Sequence, residues 1–454
     1  MRGEYLIING INWRPVSSTH TGRANLTGIA FVNTYNNTRE RKEAKLKTNL
    51  IGSLVMATAL FATGASFAAT AAGTQPVNTS SADQPGAVYV TTNQDARNEV
   101  VAFRRGSDGI LTLLQRIDTG GTGTGGPTES QDAVVLNEDH TLLFTVNVSS
   151  NDISVFSVDP KTFKLTFVQR LGSGGDRPVS LDVRGDLLYV VNSGLRSGVS
   201  GFRIAVNGTL TPIAGSIQPL SFGDRSPFGD VTLPCTNIFP AFEKGVICSA
   251  TQPAEVEFSP DGKFLVVSER LVNQFSIYEL DKNGVAGNRK SRTSNGESPF
   301  GMHFTPKGQL LVAEAFLDRP GEGGVSSYNL TADGDTKTIT DTLKTGQSTS
   351  CWIEVTPDGR FAYITNPGNG SITGLRIGGD GGLRLLPGLG GDGVVAFSHD
   401  PRDVDITPDG RFLYVLNNVE GSVNGFRVNR NGTLDRVTTT GFVLPVFGLG
   451  LAAF

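Results

Sequence analysis

A chain of 454 residues with 38% hydrophobic residues, 18% charged residues and 57 glycines can bury a large core. Its branched and aromatic residues fall in short runs that argue for strands over helices. A formal net charge of −4, with no basic patch or arginine-rich segment, excludes nucleic acid and anionic membrane as expected partners, and three cysteines are too few for a disulfide scaffold.

The first 70 or so residues do not resemble the rest. A basic run from Arg39 to Lys47 precedes an apolar run from Leu50 to Phe61 and a small-residue stretch from Ala65 to Ala72. That order is a secretory signal peptide, with acceptable cleavage sites after Ala68 and Ala71 and a retained N-terminal anchor as the alternative. The apolar run is short of the roughly 20 residues a spanning helix needs. The expected organisation is a non-native or disordered extension over 1–38, a signal peptide over 39–71 and a linker over 72–85. It implies a periplasmic or extracellular protein with no membrane contact beyond the signal peptide.

From Gly86 the chain repeats one pattern: an alternating run, a Pro-Asp-Gly turn, an apolar run ending in Asn, then two more runs joined by Asn-Gly. Period-two alternation punctuated by Gly, Pro, Asn and Asp marks short strands and tight hairpins. The fullest copy runs from Pro401 through Pro408-Asp-Gly410 and Tyr414-Val-Leu-Asn417 to Asn431-Gly-Thr-Leu434. Copies begin at Gln131, Pro178, Pro253, Pro299, Ser350 and Pro401, spaced by 46 to 51 residues except for one interval of 75. A period of this size with four strands per copy is a propeller blade.

The first copy, Gly86 to Leu114, lacks its leading strand. Phe447 to Phe454 follows the last copy and has nothing after it. Six complete blades plus one shared between the termini predict an all-β, seven-bladed propeller over 86–454, closed by pairing of the C-terminal strand with the first blade, so that no edge is left at the seam. The long interval places an insert at about 219–252, between blades three and four. It carries Cys235 and Cys248, which in an exported chain are expected to form a disulfide worth about 3 kcal/mol. Cys351, on an inner strand with no histidine near it in the repeat, reads as a buried thiol.

The Tyr-Val-x-Asn motifs at Tyr189, Tyr363 and Tyr414 resemble those of the lactonase-type seven-bladed propellers, the family of 6-phosphogluconolactonase and carboxymuconate cyclase. Related surface propellers with Tyr-Val-Thr-Asn repeats share the period. The resemblance covers about Gly86 to Phe454 and implies a lactone hydrolase or a lactonizing cyclase acting on a small carboxylated or lactone metabolite. The family motifs it would bring are changed here. The first, a histidine early in an inner strand with a later Asp-Leu-Gly, falls on Pro178-Val-Ser180 and Asn192-Ser-Gly194. The second, Pro-Arg-His with Asn-Glu, falls on Pro253-Ala-Glu255 and Ser268-Glu269-Arg270, so the histidine and arginine are absent. A shared fold does not by itself carry the reaction.

The alternation of the inner strands puts one set of residues toward the central channel. The fourth position of each copy reads Val135, Asp182, Glu257, His303, Glu354 and Asp405, and the second position adds Glu255, Trp352 and Asp403. Converging carboxylates admit three readings: solvated channel residues, a proton-transfer pair, or a ring holding a divalent cation, with calcium favoured by the oxygens and zinc by His303. The start of each inner strand and the end of the second strand share one mouth of the propeller. Glu255, Glu269, Arg270, Glu314, Trp352, His399, Arg402 and Asp403 are therefore expected at that face. Arg402 or Arg270 would stabilise an oxyanion and Glu269 or Glu314 would act as base, with Glu255, Trp352, His399 and Asp403 binding substrate. The expected function is an exported lactonase-like propeller hydrolysing or forming a small lactone at the channel mouth. The alternative is a non-catalytic binding or scaffold propeller at the cell surface or in the periplasm.

Overall fold

The computed structural model describes residues 84–221, 233–234, 247–248 and 251–454. Among the described residues seven antiparallel blade sheets follow one another, and in each the first strand of the repeat lies innermost. Blade seven shows the pattern, with strands Pro401–Ile406, Phe412–Asn417, Ser422–Val428 and Leu434–Thr439 paired in that order. Gly410 and Gly432 hold φ near +70° and +89° at its hairpin turns, a region glycine enters without strain. The inner strands contact one another in sequence around a closed ring.

The seam closes as the repeat count requires. Leu449–Ala453 takes the innermost place in the sheet of Gly86–Thr91, Glu99–Arg105 and Leu111–Asp118, with Tyr89 opposite Ala452 and Val88 opposite Ala453. The backbone amides of Ala87 and Phe454 each donate to the other's carbonyl, at 3.1 and 3.0 Å.

The recurring tyrosine explains why Tyr-Val-x-Asn is the strongest sequence signal. Tyr89, Tyr189, Tyr363 and Tyr414 are fully buried, and each hydroxyl donates to a carbonyl in the outer hairpin of the next blade: Phe163, Gly284, Gly432 and Gly109. The ring packs between two sheets while its polar tip satisfies a turn, so one residue joins each of these four pairs of blades. The asparagine that ends the motif serves its own blade. Asn147 and Asn366 donate to Ser154 and Thr373 on the third strand at 2.8 and 3.0 Å, and Asn417 donates to Ser422 at 3.0 Å.

Three local features depart from the repeat. Blade two begins its inner strand at Val134, not Gln131, because Asp132 sits at φ +57° and breaks the extended run. Blade six gains a fifth strand, Val394–Phe397, paired with Ser371–Ile377. In the insert, Leu233–Pro234 pairs with Ile247–Cys248, whereas Cys235 lies outside the described residues, and with it the expected Cys235–Cys248 disulfide. The expected extension over 1–38, the expected signal peptide over 39–71 and most of the expected linker also lie outside them. Cys351 is buried and free.

Candidate active site at the channel mouth

Five blades send residues to the mouth, but not all those the topology nominated. Glu269 and Glu314 are fully buried, and they occupy the places that asparagine holds in other blades. The hydroxyl of Ser276 donates to Glu269, joined by Ser221. Ser326 donates to Glu314 at 2.6 Å, joined by the Gly296 amide at 2.8 Å. Both carboxyls are therefore turned into their own sheets and raised above their usual range by burial. Neither reaches the mouth as a base. His399 stands at the outer rim, its side chain 77% exposed and paired with Glu420. Glu255 and Asp403 are buried further down the channel.

Arg270, Trp352 and Arg402 do come together. The Arg270 guanidinium lies 4.6 Å from the centroid of the Phe300 ring, Phe300 packs 4.8 Å from Trp352, and Arg402 covers Trp352 at 5.7 Å. Two cations thus flank a tilted aromatic pair, its rings 57° apart, an arrangement that keeps each guanidinium plane fixed. Arg402 donates to Glu129 at 2.6 Å and to Asp400 at 3.2 Å. Burial pushes the Glu129 carboxyl up, yet Arg402 and Arg270 outweigh it and hold the group below its usual range.

Asp318 completes the cluster. It follows Glu314 in a short turn, Phe316–Asp318, in which all three residues have φ between +50° and +60°. Non-glycine residues take this conformation at a cost, so the surrounding structure must enforce it. Lys344 and Arg319 over the Phe316 ring help to do so. Asp318 itself is exposed. Loss of hydration raises its carboxyl above the usual range, and Arg270 pulls it part of the way back.

The floor of the mouth is a plug formed by Glu129, Ser130 and Gln131. Trp352 Nε1 donates to the Ser130 carbonyl at 2.7 Å. The Gln131 amide nitrogen reaches Ile353 O at 3.0 Å, its oxygen accepts from Ile353 N at 3.0 Å, and its backbone amide donates to Ala254 O at 3.1 Å. A side chain entering from blade two therefore crosses the channel to blade six.

Below the plug the expected residues do face the channel, and three of the carboxylates serve the edges of the sheets. An inner strand is the edge of its sheet, and its outward amides need acceptors. Asp182 accepts from Phe258 N at 2.8 Å, Glu257 from Phe304 N at 2.9 Å, and Asp405 from Ala453 N at 2.7 Å, each on the next blade. His303 lies 3.4 Å from Glu354 and 3.9 Å from Glu257, and burial lowers its pKa to about 4. Among the described residues no three His, Cys, Asp or Glu side chains stand close enough to ligate one metal ion. The direct calcium or zinc ring expected of Asp182, Glu257, His303, Glu354 and Asp405 is thus not assembled: three of the carboxylates each have an oxygen tied to a neighbouring amide, and the set is spread around the channel wall.

Glu129, Gln131 and Asp318 escaped the sequence reading because none sits at a repeat position that carries chemistry. The one trace was position 131, where glutamine replaces the proline or serine of the other copies.

The model of the lactonase seven-bladed β-propeller family matches residues 66–219, 228–315 and 322–445. The 6-phosphogluconolactonases of Yersinia pestis strain Pestoides F and of Yersinia enterocolitica serotype O:8 are 22% and 24% identical over 316 and 317 residues, in each case 64% of this chain and 91% of the relative. Among solved structures, the periplasmic gluconolactonase of Pseudomonas aeruginosa aligns with a TM-score of 0.60 at 16% identity, covering 82% of this chain and 99% of its own. A protein from Lactobacillus plantarum aligns with 0.61 at 17%, over the same shares. The protein belongs to the lactonase family of seven-bladed β-propellers.

Proposed function

We propose that the protein hydrolyses a small lactone at the plugged mouth of its channel, after export from the cytoplasm. The observation that carries this reading is the convergence of Arg270 and Arg402 with Glu129 and Asp318, each from a different part of the ring, over a floor that blocks the channel. Asp318 is the base. A carboxylate whose pKa is raised toward neutrality is a better proton acceptor than one held low, and Asp318 is open to water while Glu129 is clamped by Arg402. In the reaction Asp318 takes a proton from water as the oxygen attacks the lactone carbonyl. Arg270, which faces both Asp318 and Glu129, stabilises the resulting oxyanion. The ring C–O bond then breaks, and Asp318 returns the proton to the leaving alkoxide to give the hydroxy acid.

Glu129 and Asp400 act on Arg402, fixing it against Trp352 as a second anion contact. The names of the Yersinia relatives and of the Pseudomonas structure point to aldonolactones and their phosphates as the first compounds to try. The test is a hydrolysis screen of five- and six-membered sugar lactones, with and without a carboxylate or phosphate, using purified protein at pH 7. Turnover above the spontaneous rate for at least one member supports the reading, and no acceleration for any member favours a binding propeller. Export is tested separately, by the N-terminal sequence and compartment of the mature protein.

A further inference from the structure

The plug leaves a second compartment that the lactonase reading does not use. At the opposite end of the channel a cavity of about 270 Å³ opens between the turns at Asn137 and Pro408, lined deep inside by Asp132, Asp182, His303, Glu354 and Asp405. Five different blades supply these residues, and the cavity wall contains no lysine or arginine. Glu257 shares the fourth position of that ring, between Asp182 and His303, and is only 8% exposed. Glu255 and Asp403 lie behind it, at 0% and 2%. Glu257 accepts from the Phe304 amide with one carboxylate oxygen and has no hydrogen-bond partner for the other, whereas Glu255 shares a hydrogen bond with Asp132 and Asp403 accepts from the Leu451 amide.

A buried carboxylate oxygen with no donor is costly, and the one on Glu257, beside the cavity-lining His303 and Asp182, calls for a ligand that brings donors with it. The basic side chains on the cavity wall are His140 and His303, and His303 stands 3.9 Å from Glu257, too far to supply the missing hydrogen bond. Direct metal ligation does not fit, because no three side chains converge. The volume is that of about nine waters, enough for an ion with its hydration shell or for a short amine. We propose that this end of the channel binds a small cation through hydrogen-bond donors, as a hydrated divalent ion or an alkylammonium offers, without direct coordination by the protein.

The test measures the thermal midpoint of the purified protein at pH 8 in hexaamminecobalt(III), which cannot exchange its ammine ligands, in magnesium chloride, in putrescine, and in sodium chloride at matched ionic strength. Hexaamminecobalt(III) is expected to raise the midpoint saturably, by about 4 °C at a hundredfold excess over Kd, with sodium chloride inert. A matching rise with magnesium identifies a hydrated ion, and one with putrescine an ammonium. The near-isosteric pair Glu354→Gln and Asp405→Asn should weaken binding at least tenfold while lactone hydrolysis at the mouth is unchanged. Equilibrium dialysis provides the same comparison should that variant be less stable. No saturable shift with any of these cations, or an equal shift in the variant, would each overturn the proposal.

Discussion

Removing Glu129 tests whether the mouth is a built site or a rim of solvated charges. Arg402 and Glu129 are 2.6 Å apart with side chains only 19% and 15% exposed. Breaking a buried pair by deleting one partner costs about 3 to 5 kcal/mol, against 1 kcal/mol or less for an exposed pair. Arg402 keeps Asp400 at 3.2 Å when Glu129 is replaced, so Glu129→Gln should cost about 2 kcal/mol. Arg402→Gln strands two carboxylates and should cost about 3 kcal/mol. The double variant should show a coupling of about 1.5 kcal/mol in urea unfolding at pH 7. Glu129 is held below its ordinary range, so its contribution is present above the unfolded-state pKa and is lost as pH falls through the lower folded value. The coupling should therefore fade on going from pH 7 to pH 3. A coupling below about 0.5 kcal/mol at pH 7, or one that grows in acid, would refute the buried-pair argument.

The remaining expectations concern the ring and its seam. Leu451 is 2% exposed in the closing strand, so Leu451→Ala should cost about 2 to 4 kcal/mol, and a chain ending at Gly448 should fail to give a cooperative unfolding transition by circular dichroism. Glu269→Gln keeps an acceptor for Ser276 and Ser221 and removes a carboxyl whose ionisation burial opposes, so stability at pH 8 should hold or rise in a thermal melt. Channel carboxyls set a pH slope. Burial raises Asp182, Asp132 and Asp405 to about 6, 7 and 8, so their stabilising contribution is full below the unfolded pKa and is lost as pH rises through those values. His303, lowered to about 4, acts only below its unfolded pKa of about 6.5 and in the opposite direction. Unfolding free energy should thus fall by about 2 to 3 kcal/mol between pH 6.5 and 8 in low salt without added cation; a flat or rising profile would contradict it.

The blade count, the closure beside Tyr89 and the channel-facing parity of Asp182, Glu257, His303, Glu354 and Asp405 were legible because strand alternation and turn residues are local and recur seven times. What a carboxylate does at its position was not. Glu269 and Glu314 stand where four blades carry asparagine, and the sequence offers no means of telling a rim acid from one folded back onto the serines of the neighbouring strand. The ring carboxylates likewise look like ligands until the unpaired amides of the next inner strand are seen to face them. Glu129 and Asp318 are placed by a plug and a left-handed turn, both irregular, and irregular backbone leaves no period to read.

Glu314 and Asp318 are four residues apart on blade five, and replacing each by its amide separates the two accounts of the site. With a lactone that the wild-type protein turns over, Asp318→Asn should lose at least a hundredfold in kcat with little change in thermal midpoint, whereas Glu314→Gln should stay within threefold. Loss of activity in Glu314→Gln with Asp318→Asn fully active would contradict the assignment of catalysis to the mouth.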